Sequence, residues 1–380
     1  MREYLLVFLV AASVTYLLTV VAREIALRTG AVAAVRDRDV HAEPVPYLGG
    51  LAMLGGLVAA YFTARELPFL SLSEPFVFRD AGVVLVAGAL ICAVGVLDDI
   101  VELDPLTKFG GQVLAAGLLV KFGVQFYTFP TTDGTQVSLD PAQGALLTVF
   151  LVVATVNAVN FIDGLDGLAS GVVGIGALAL FLFCYQLANI NELSLATTGA
   201  LLAAALAGAC VGFIPHNFNP ARLFMGDSGS MLIGLFLSAS VLTLTGQFPV
   251  LDAGGASAQW HTLLLPLLLP LLLLLLPLAD LVLAVVRRTR AGRSPFSPDK
   301  QHLHHRLLEI GHSQRRAVLI MWLWAGLIAF GVVLASLYSG PLVWTALALG
   351  CVVTLALTFV VPRIRKSPPG DPDAGPVATL

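Results

Sequence analysis

The 380-residue chain is 57% hydrophobic and only 12% charged, with a mean hydropathy of +0.89. Soluble domains carry roughly 25% charged residues, so this composition excludes an ordinary soluble domain and points to a polytopic membrane protein. The formal net charge of −3 carries little weight, because placement matters more than the sum, and no nucleic-acid partner is expected.

Apolar windows of roughly 17–25 residues can cross a bilayer. About eleven windows meet or approach that length, two of them short, near 4–22, 46–64, 81–97, 109–123, 143–159, 168–186, 196–214, 229–246, 262–286, 317–338 and 341–361. The first exceeds the roughly 7–15-residue core of a signal peptide, so it reads as a retained helix. The expected fold is an all-α integral membrane protein, with one catalytic transmembrane domain over 1–361. Residues 362–380 are rich in Pro and Gly and read as a disordered cytoplasmic tail. Cys92, Cys184, Cys210 and Cys351 stand singly in apolar runs, as packing residues do.

Orientation follows from lysine and arginine, which favour cytoplasmic loops. With the N-terminus outside and the C-terminus cytoplasmic, 17 of the 21 basic residues face the cytoplasm and only Arg2, Arg65, Arg79 and Lys121 face out. In that topology the loops after windows 1, 3, 5, 7 and 9 share the cytoplasmic face. These loops carry all the dense polar patches, which predicts a single active site on that face.

Asp98-Asp99 ends the third window. Adjacent carboxylates can bind a divalent cation or share a proton, since like charges resist joint ionisation; a solvated helix end is the bland alternative. Asn160-Phe-Ile-Asp163-Gly-Leu-Asp166-Gly is more specific, because an oxygen-bearing side chain recurs every three residues between two apolar spans. Such oxygens suit magnesium, which keeps waters and engages substrate phosphates; a glycine-rich turn with helix-capping aspartates is the bland alternative. In Phe224-Met-Gly-Asp227-Ser228-Gly, Ser228 could cap the eighth helix, and a capped helix without ligand is the bland alternative. That helix's N-terminus could receive an anion, bridged by a metal on Asp227.

After the ninth window, Ser297 as N-cap, Pro298 in the first turn and Gly311 beyond the end define a short helix. At 100° per residue it places His302, His305 and Arg306 on one side, with His304 pointing away. This is a cationic, phosphate-binding face, or else an amphipathic helix on anionic lipid. Asp280, inside the proline-rich ninth window, is either functional or snorkelling to the surface.

Taken in order, these motifs closely resemble the polyprenyl-phosphate N-acetylhexosamine-1-phosphate transferases over residues 36–316. The set comprises His41-Ala-Glu-Pro44-Val-Pro46-Tyr-Leu-Gly49-Gly50, Asp98-Asp99, the Asn160–Gly167 repeat, Phe224–Ser230 and Pro298-Asp-Lys-Gln-His302-Leu-His304-His305-Arg306-Leu. Tyr47 departs from the basic residue usual in the first motif. The His-Leu-His-His-Arg-Leu form resembles the bacterial GlcNAc-1-phosphate transferases more than phospho-MurNAc-pentapeptide transferase, which typically has three consecutive histidines. The resemblance implies transfer of GlcNAc-1-phosphate from UDP-GlcNAc to a polyprenyl phosphate, releasing UMP, in a bacterial plasma membrane. It implies magnesium, with manganese as a substitute, and a partner set of UDP-GlcNAc, polyprenyl phosphate, membrane lipids and an optional second copy of the chain.

By the same resemblance, Asn160 and Asp227 hold the metal, and Asp98, Asp99, Asp163 and Asp166 are catalytic. Lys108, Asn217, His302, His304, His305 and Arg306 bind the substrate phosphates or nucleotide. A phosphate monoester has a second pKa of about 6 and is largely dianionic at neutral pH. Direct attack by the lipid phosphate is therefore expected, with no obligatory base. The alternatives are the muramyl transferase and, in a different class, a proton-coupled lipid transporter, which predicts ionisable groups near the midplane.

Overall fold

The computed structural model describes residues 1–32, 45–130, 136–190, 194, 196–245, 286, 289–290, 292, 312–338 and 340–359. Its helices are α1 (Arg2–Thr29), α2 (Gly49–Glu66), α3 (Pro68–Ser71), α4 (Pro75–Val101), α5 (Pro105–Lys121), α6 (Pro141–Ile162), α7 (Leu168–Ile190), α8 (Ala196–Asn217), α9 (Gly226–Thr245), α10 (Gln314–Leu337) and α11 (Pro341–Phe359). Each expected window among the described residues lies on one of these helices. The ninth window up to residue 285, with Asp280, falls outside the described residues, as do His41–Pro44, the expected short helix 297–311 and the tail 362–380.

Eight described helices are long and apolar enough to cross a membrane: α1, α4, α6, α7, α8, α9, α10 and α11. Among the described residues the architecture is helical apart from an isolated bridge between Val32 and Pro46 and a short hairpin that the hydropathy pattern hides. Between α5 and α6, β1 (Thr128–Pro130) and β2 (Gln136–Ser138) pair antiparallel, with Thr128 opposite Ser138 and Phe129 opposite Val137. All four cysteines are free thiols, and three are buried, which matches packing residues.

Local sequence sets the helix ends that build the site. Proline at N1 starts α4, α5 and α6, where its missing N–H costs nothing. Asp104 caps α5 by accepting from Leu106 N and Thr107 N, both at 3.0 Å. Asp140 and Gln143 form a capping box on α6. Glu102, with φ of 52°, breaks α4 immediately after the Asp98-Asp99 pair and turns the chain into α5. The pair therefore sits at a corner rather than along a helix wall.

Burial separates the helices into centre and periphery. The apolar window of α9 is 94% buried and that of α8 83%, whereas α11 is 11% buried and presents Leu342, Trp344, Leu349 and Val352 outward. α9 packs against α2, α4, α6, α7 and α8. Whatever its first turn carries is thus held by several helices at once.

Candidate active site

The C-termini of α4, α6 and α8 meet the N-termini of α5 and α9 at one end of the bundle. Asp227, in the first turn of α9, is the hub. Its Oδ1 accepts from Asn160 Nδ2 at 2.7 Å, and its Oδ2 forms an ion pair with Lys108 Nζ. Lys108 also reaches Asp98 Oδ2 at 3.2 Å, so one ammonium bridges two carboxylates from α4 and α9. Asp98 Oδ1 accepts from Leu103 N at 2.8 Å, which fastens it to the corner after α4. Asn160 gives its second N–H to Ser230 Oγ at 2.9 Å. Asp98, Lys108 and Asp227 retain 15%, 20% and 25% side-chain exposure, enough to meet a ligand.

Asp99 behaves differently from its neighbour. Its Oδ1 accepts from Asp227 N at 2.8 Å and its Oδ2 from Ser228 N at 3.2 Å. This corrects the expectation for Ser228, which is fully buried and turns its hydroxyl back to Met225 O at 3.4 Å. The helix N-terminus already holds an anion, and that anion is the Asp99 carboxylate. An anion there is favoured by both the free N–H groups and the helix dipole.

Asp166 and Asn217 are likewise absorbed by the scaffold. Asp166 Oδ2 accepts from Asn219 Nδ2 and Ala221 N, each at 3.1 Å, which pins the loop between α8 and α9. Asn217 is 2% exposed; its Oδ1 accepts from Gly167 N at 3.0 Å and its Nδ2 donates to Leu223 O at 3.1 Å. Asn219 continues the chain of contacts by donating to Gln314 Oε1 at 2.6 Å, and Arg315 Nε reaches Asn219 O at 2.9 Å. α10 is thereby latched to the same loop.

Asp163 caps the C-terminus of α6, and its carboxylate makes no hydrogen bond among the described residues. Burial, with the carboxylates of Asp99 and Asp166 nearby, holds its pKa well above the ordinary carboxylate range. Thr107 does the opposite for exposed Asp104, whose pKa is lowered by hydrogen bonds from that hydroxyl and backbone N–H. His302, His304, His305 and Arg306 lie outside the described residues.

The residues around Asp227 fit a magnesium ion. Asp227 supplies carboxylate oxygens, and the Asn160 amide oxygen has no hydrogen-bond partner among the described residues. No cluster of three or more His, Cys, Asp or Glu side chains suited to a metal occurs among the described residues. The protein's donor set is therefore short, as is usual where magnesium keeps waters and binds substrate phosphates.

One amide pair, buried Gln112 with half-buried Asn157, was given no role by the motif reading. Asn157 Nδ2 donates to Gln112 Oε1 at 2.6 Å, and Gln112 Nε2 reaches Asn157 Oδ1 and Met231 Sδ at 3.4 and 3.5 Å. Gln112 stands one turn after Lys108 and Asn157 one turn before Asn160, so the pair ties α5 to α6 beneath the hub. Two amides in otherwise apolar windows were the available signal.

The family model for glycosyl transferase family 4 matches residues 81–245, from α4 through α9. With relatives up to 47% identical along 96% of its length, the chain belongs to this family, among its polyprenyl-phosphate GlcNAc-1-phosphate transferases. It is similar to decaprenyl-phosphate N-acetylglucosaminephosphotransferase of Mycobacterium tuberculosis, 47% identical over 370 residues, 96% of this chain and 90% of the relative. The Mycolicibacterium smegmatis protein of the same name is 46% identical over 97% of this chain and 91% of its own length. More distant is a probable undecaprenyl-phosphate N-acetylglucosaminyl 1-phosphate transferase of Bacillus subtilis, 28% identical over 85% of this chain and 82% of the relative.

Proposed function

We propose that this chain transfers GlcNAc-1-phosphate from UDP-GlcNAc to a polyprenyl phosphate in a bacterial plasma membrane, yielding polyprenyl-diphosphate-GlcNAc and UMP. Decaprenyl phosphate is the first acceptor to try, because the relatives that are 45–47% identical carry it in their names. The observation that carries the reading is the meeting of Asp227, Asn160 and Lys108 at one end of an apolar bundle. A lipid phosphate reaching a water-soluble nucleotide sugar needs such a polar cluster at a membrane surface. The topology argued from basic residues makes that surface cytoplasmic, with about eleven spans.

In the reaction, a phosphate oxygen of the lipid forms a bond to the sugar-bearing phosphorus of UDP-GlcNAc. The bond from that phosphorus to the bridging oxygen breaks, and the electron pair leaves with UMP. Attacking and leaving groups are both phosphates largely ionised at neutral pH, so no step requires an enzyme base. Magnesium, when bound, neutralises charge on the diphosphate, and Asp227 and Asn160 would hold it. Lys108 offsets negative charge beside it, and Asp98 orients the incoming phosphate through their shared contact. His302, His305 and Arg306 add positive charge for the phosphates, with His304 in a lesser part.

A proton-coupled transporter fits less well. Among the described residues, charged side chains in the candidate spans keep to the first or last two turns, away from the midplane where coupling groups lie. The deciding assay offers purified protein UDP-GlcNAc and UDP-MurNAc-pentapeptide in parallel with decaprenyl phosphate and measures UMP. Release from UDP-GlcNAc is expected. Preference for the muramyl substrate would overturn the sugar assignment, and no release from either would overturn the reaction.

A further inference from the structure

Asp98 and Asp99 are sequence neighbours of the same type, yet they face different tasks. The first free N–H groups of an α-helix need acceptors, normally an oxygen-bearing side chain at the N-cap that accepts from the second or third helical residue. α9 begins at Gly226, whose φ is not helical, and neither Gly226 nor Met225 before it carries a side-chain oxygen. Ser228 points its hydroxyl back to Met225 O and does not help. Two N–H groups of the first turn, those of Asp227 and Ser228, go instead to the two oxygens of Asp99 on α4.

The surrounding backbone is shaped for this contact. Gly226 holds a left-handed φ of 69°, and a Cβ there would press on the Asp99 carboxyl carbon at 2.8 Å. Gly95, one turn before Asp99, lets α4 approach so closely that a Cβ would strike the Ser228 backbone. From the other side Gly50 of α2 abuts Gly229, and Gly50 N donates to Met225 O at 3.2 Å. The first turn of α9 is thus clamped from two helices and capped from one.

Resting on the reading of Asp227 given above, we propose that Asp99 is a positioning residue: it caps α9 from α4 and so aims Asp227. Asp99 fixes the main chain of Asp227, while Asn160 and Lys108 fix its side chain. The Asp98-Asp99 pair therefore divides into one residue facing the reactants and one acting through Asp227.

The test uses full-length protein with Asp99→Asn and Asp99→Ala. Asp99 serves the two N–H groups with two oxygens, whereas asparagine keeps one acceptor and turns an NH2 donor toward the other N–H. Asp99→Asn therefore loses about tenfold in kcat, less than Asp99→Ala, with the KM for UDP-GlcNAc unchanged. Alanine leaves the turn uncapped. A displacement of even 1 Å at a reacting centre can cost about 10²-fold, so Asp99→Ala loses that much in kcat and needs more magnesium for half-saturation. Hydrogen–deuterium exchange of the 226–230 segment, measured without substrate or metal, quickens most in Asp99→Ala and less in Asp99→Asn. If both variants are equally inactive while exchange is unchanged, Asp99 contacts the metal or the reacting groups and the proposal fails. It also fails if Asp99→Ala matches wild type in kcat and exchange. Absence of UMP release from the wild type would sink the enzymatic reading instead, and the exchange data would still decide the cap.

Discussion

The hub around Asp227 and the brace around Asp166 and Asn217 use similar residues, lie in neighbouring motifs and do opposite work. In the hub, Asp98, Lys108 and Asp227 are partly exposed and bonded chiefly to other charged or amide side chains. In the brace, Asp166 and Asn217 are buried and bind backbone groups of Gly167, Ala221 and Leu223. A motif rich in Asp and Asn therefore marks both chemistry and the scaffold that aims it. Partial exposure around a bridging Lys108 in the hub, against burial on main-chain groups in the brace, is what tells the two apart.

The largest effect that sharpens this contrast is expected at the hub. Asp227→Asn should lower kcat for UMP release by about 10³-fold, the upper end for removing one charge-stabilising group, with little change in thermal stability. In the brace, Asn217→Leu strands buried partners at a cost of about 1–3 kcal/mol each. Its melting temperature should fall by roughly 5 °C or more, while activity per folded molecule stays near wild type. An intact melting temperature with lost nucleotide binding would return Asn217 to the substrate site. Lys108→Met should cost about 10²-fold in kcat/KM, because two carboxylates would then face each other without their shared cation.

Smaller effects come from the packing beneath the hub. Gln112→Leu or Asn157→Leu alone removes the amide–amide contact and leaves Asn157 only its bond to Val153 O, or Gln112 only Met231 Sδ, a loss worth about 1–2 kcal/mol. The double substitution should cost less than the sum, which a double-mutant cycle on melting temperature reads directly. Asp163 gives a pH signature. Its folded-state pKa is raised, so the native state binds that proton more tightly than the unfolded chain. Stability therefore declines as pH rises from the ordinary carboxylate range through the raised value. Metal-free Asp163→Asn should melt higher than wild type at neutral pH, and the gap should close on acidification.

Much of this was legible in the chain itself. Long apolar windows mark α1, α4, α6, α7, α8 and α10, since bilayer thickness dictates their length. Asp227, Asn160 and Lys108 are legible as chemistry because polar side chains between apolar spans need a reason. The role of Asp99 was not legible, because an acceptor normally sits at a helix's own N-cap and this one comes from a residue 128 positions away. Nor was the burial of Asn217, whose partners Gly167 and Leu223 lie on two separate segments. The β1–β2 hairpin escaped because its strands have three residues each, too short for any alternation to register.

The most direct test of the central claim, that Asp227 and Asn160 hold a cation across the substrate diphosphate, is equilibrium binding of UDP-GlcNAc with and without magnesium. Wild-type protein should bind at least about tenfold more tightly with magnesium, equal to 1.4 kcal/mol, and Asp227→Asn should lose that gain. An equal magnesium-dependent gain in both proteins would contradict the account.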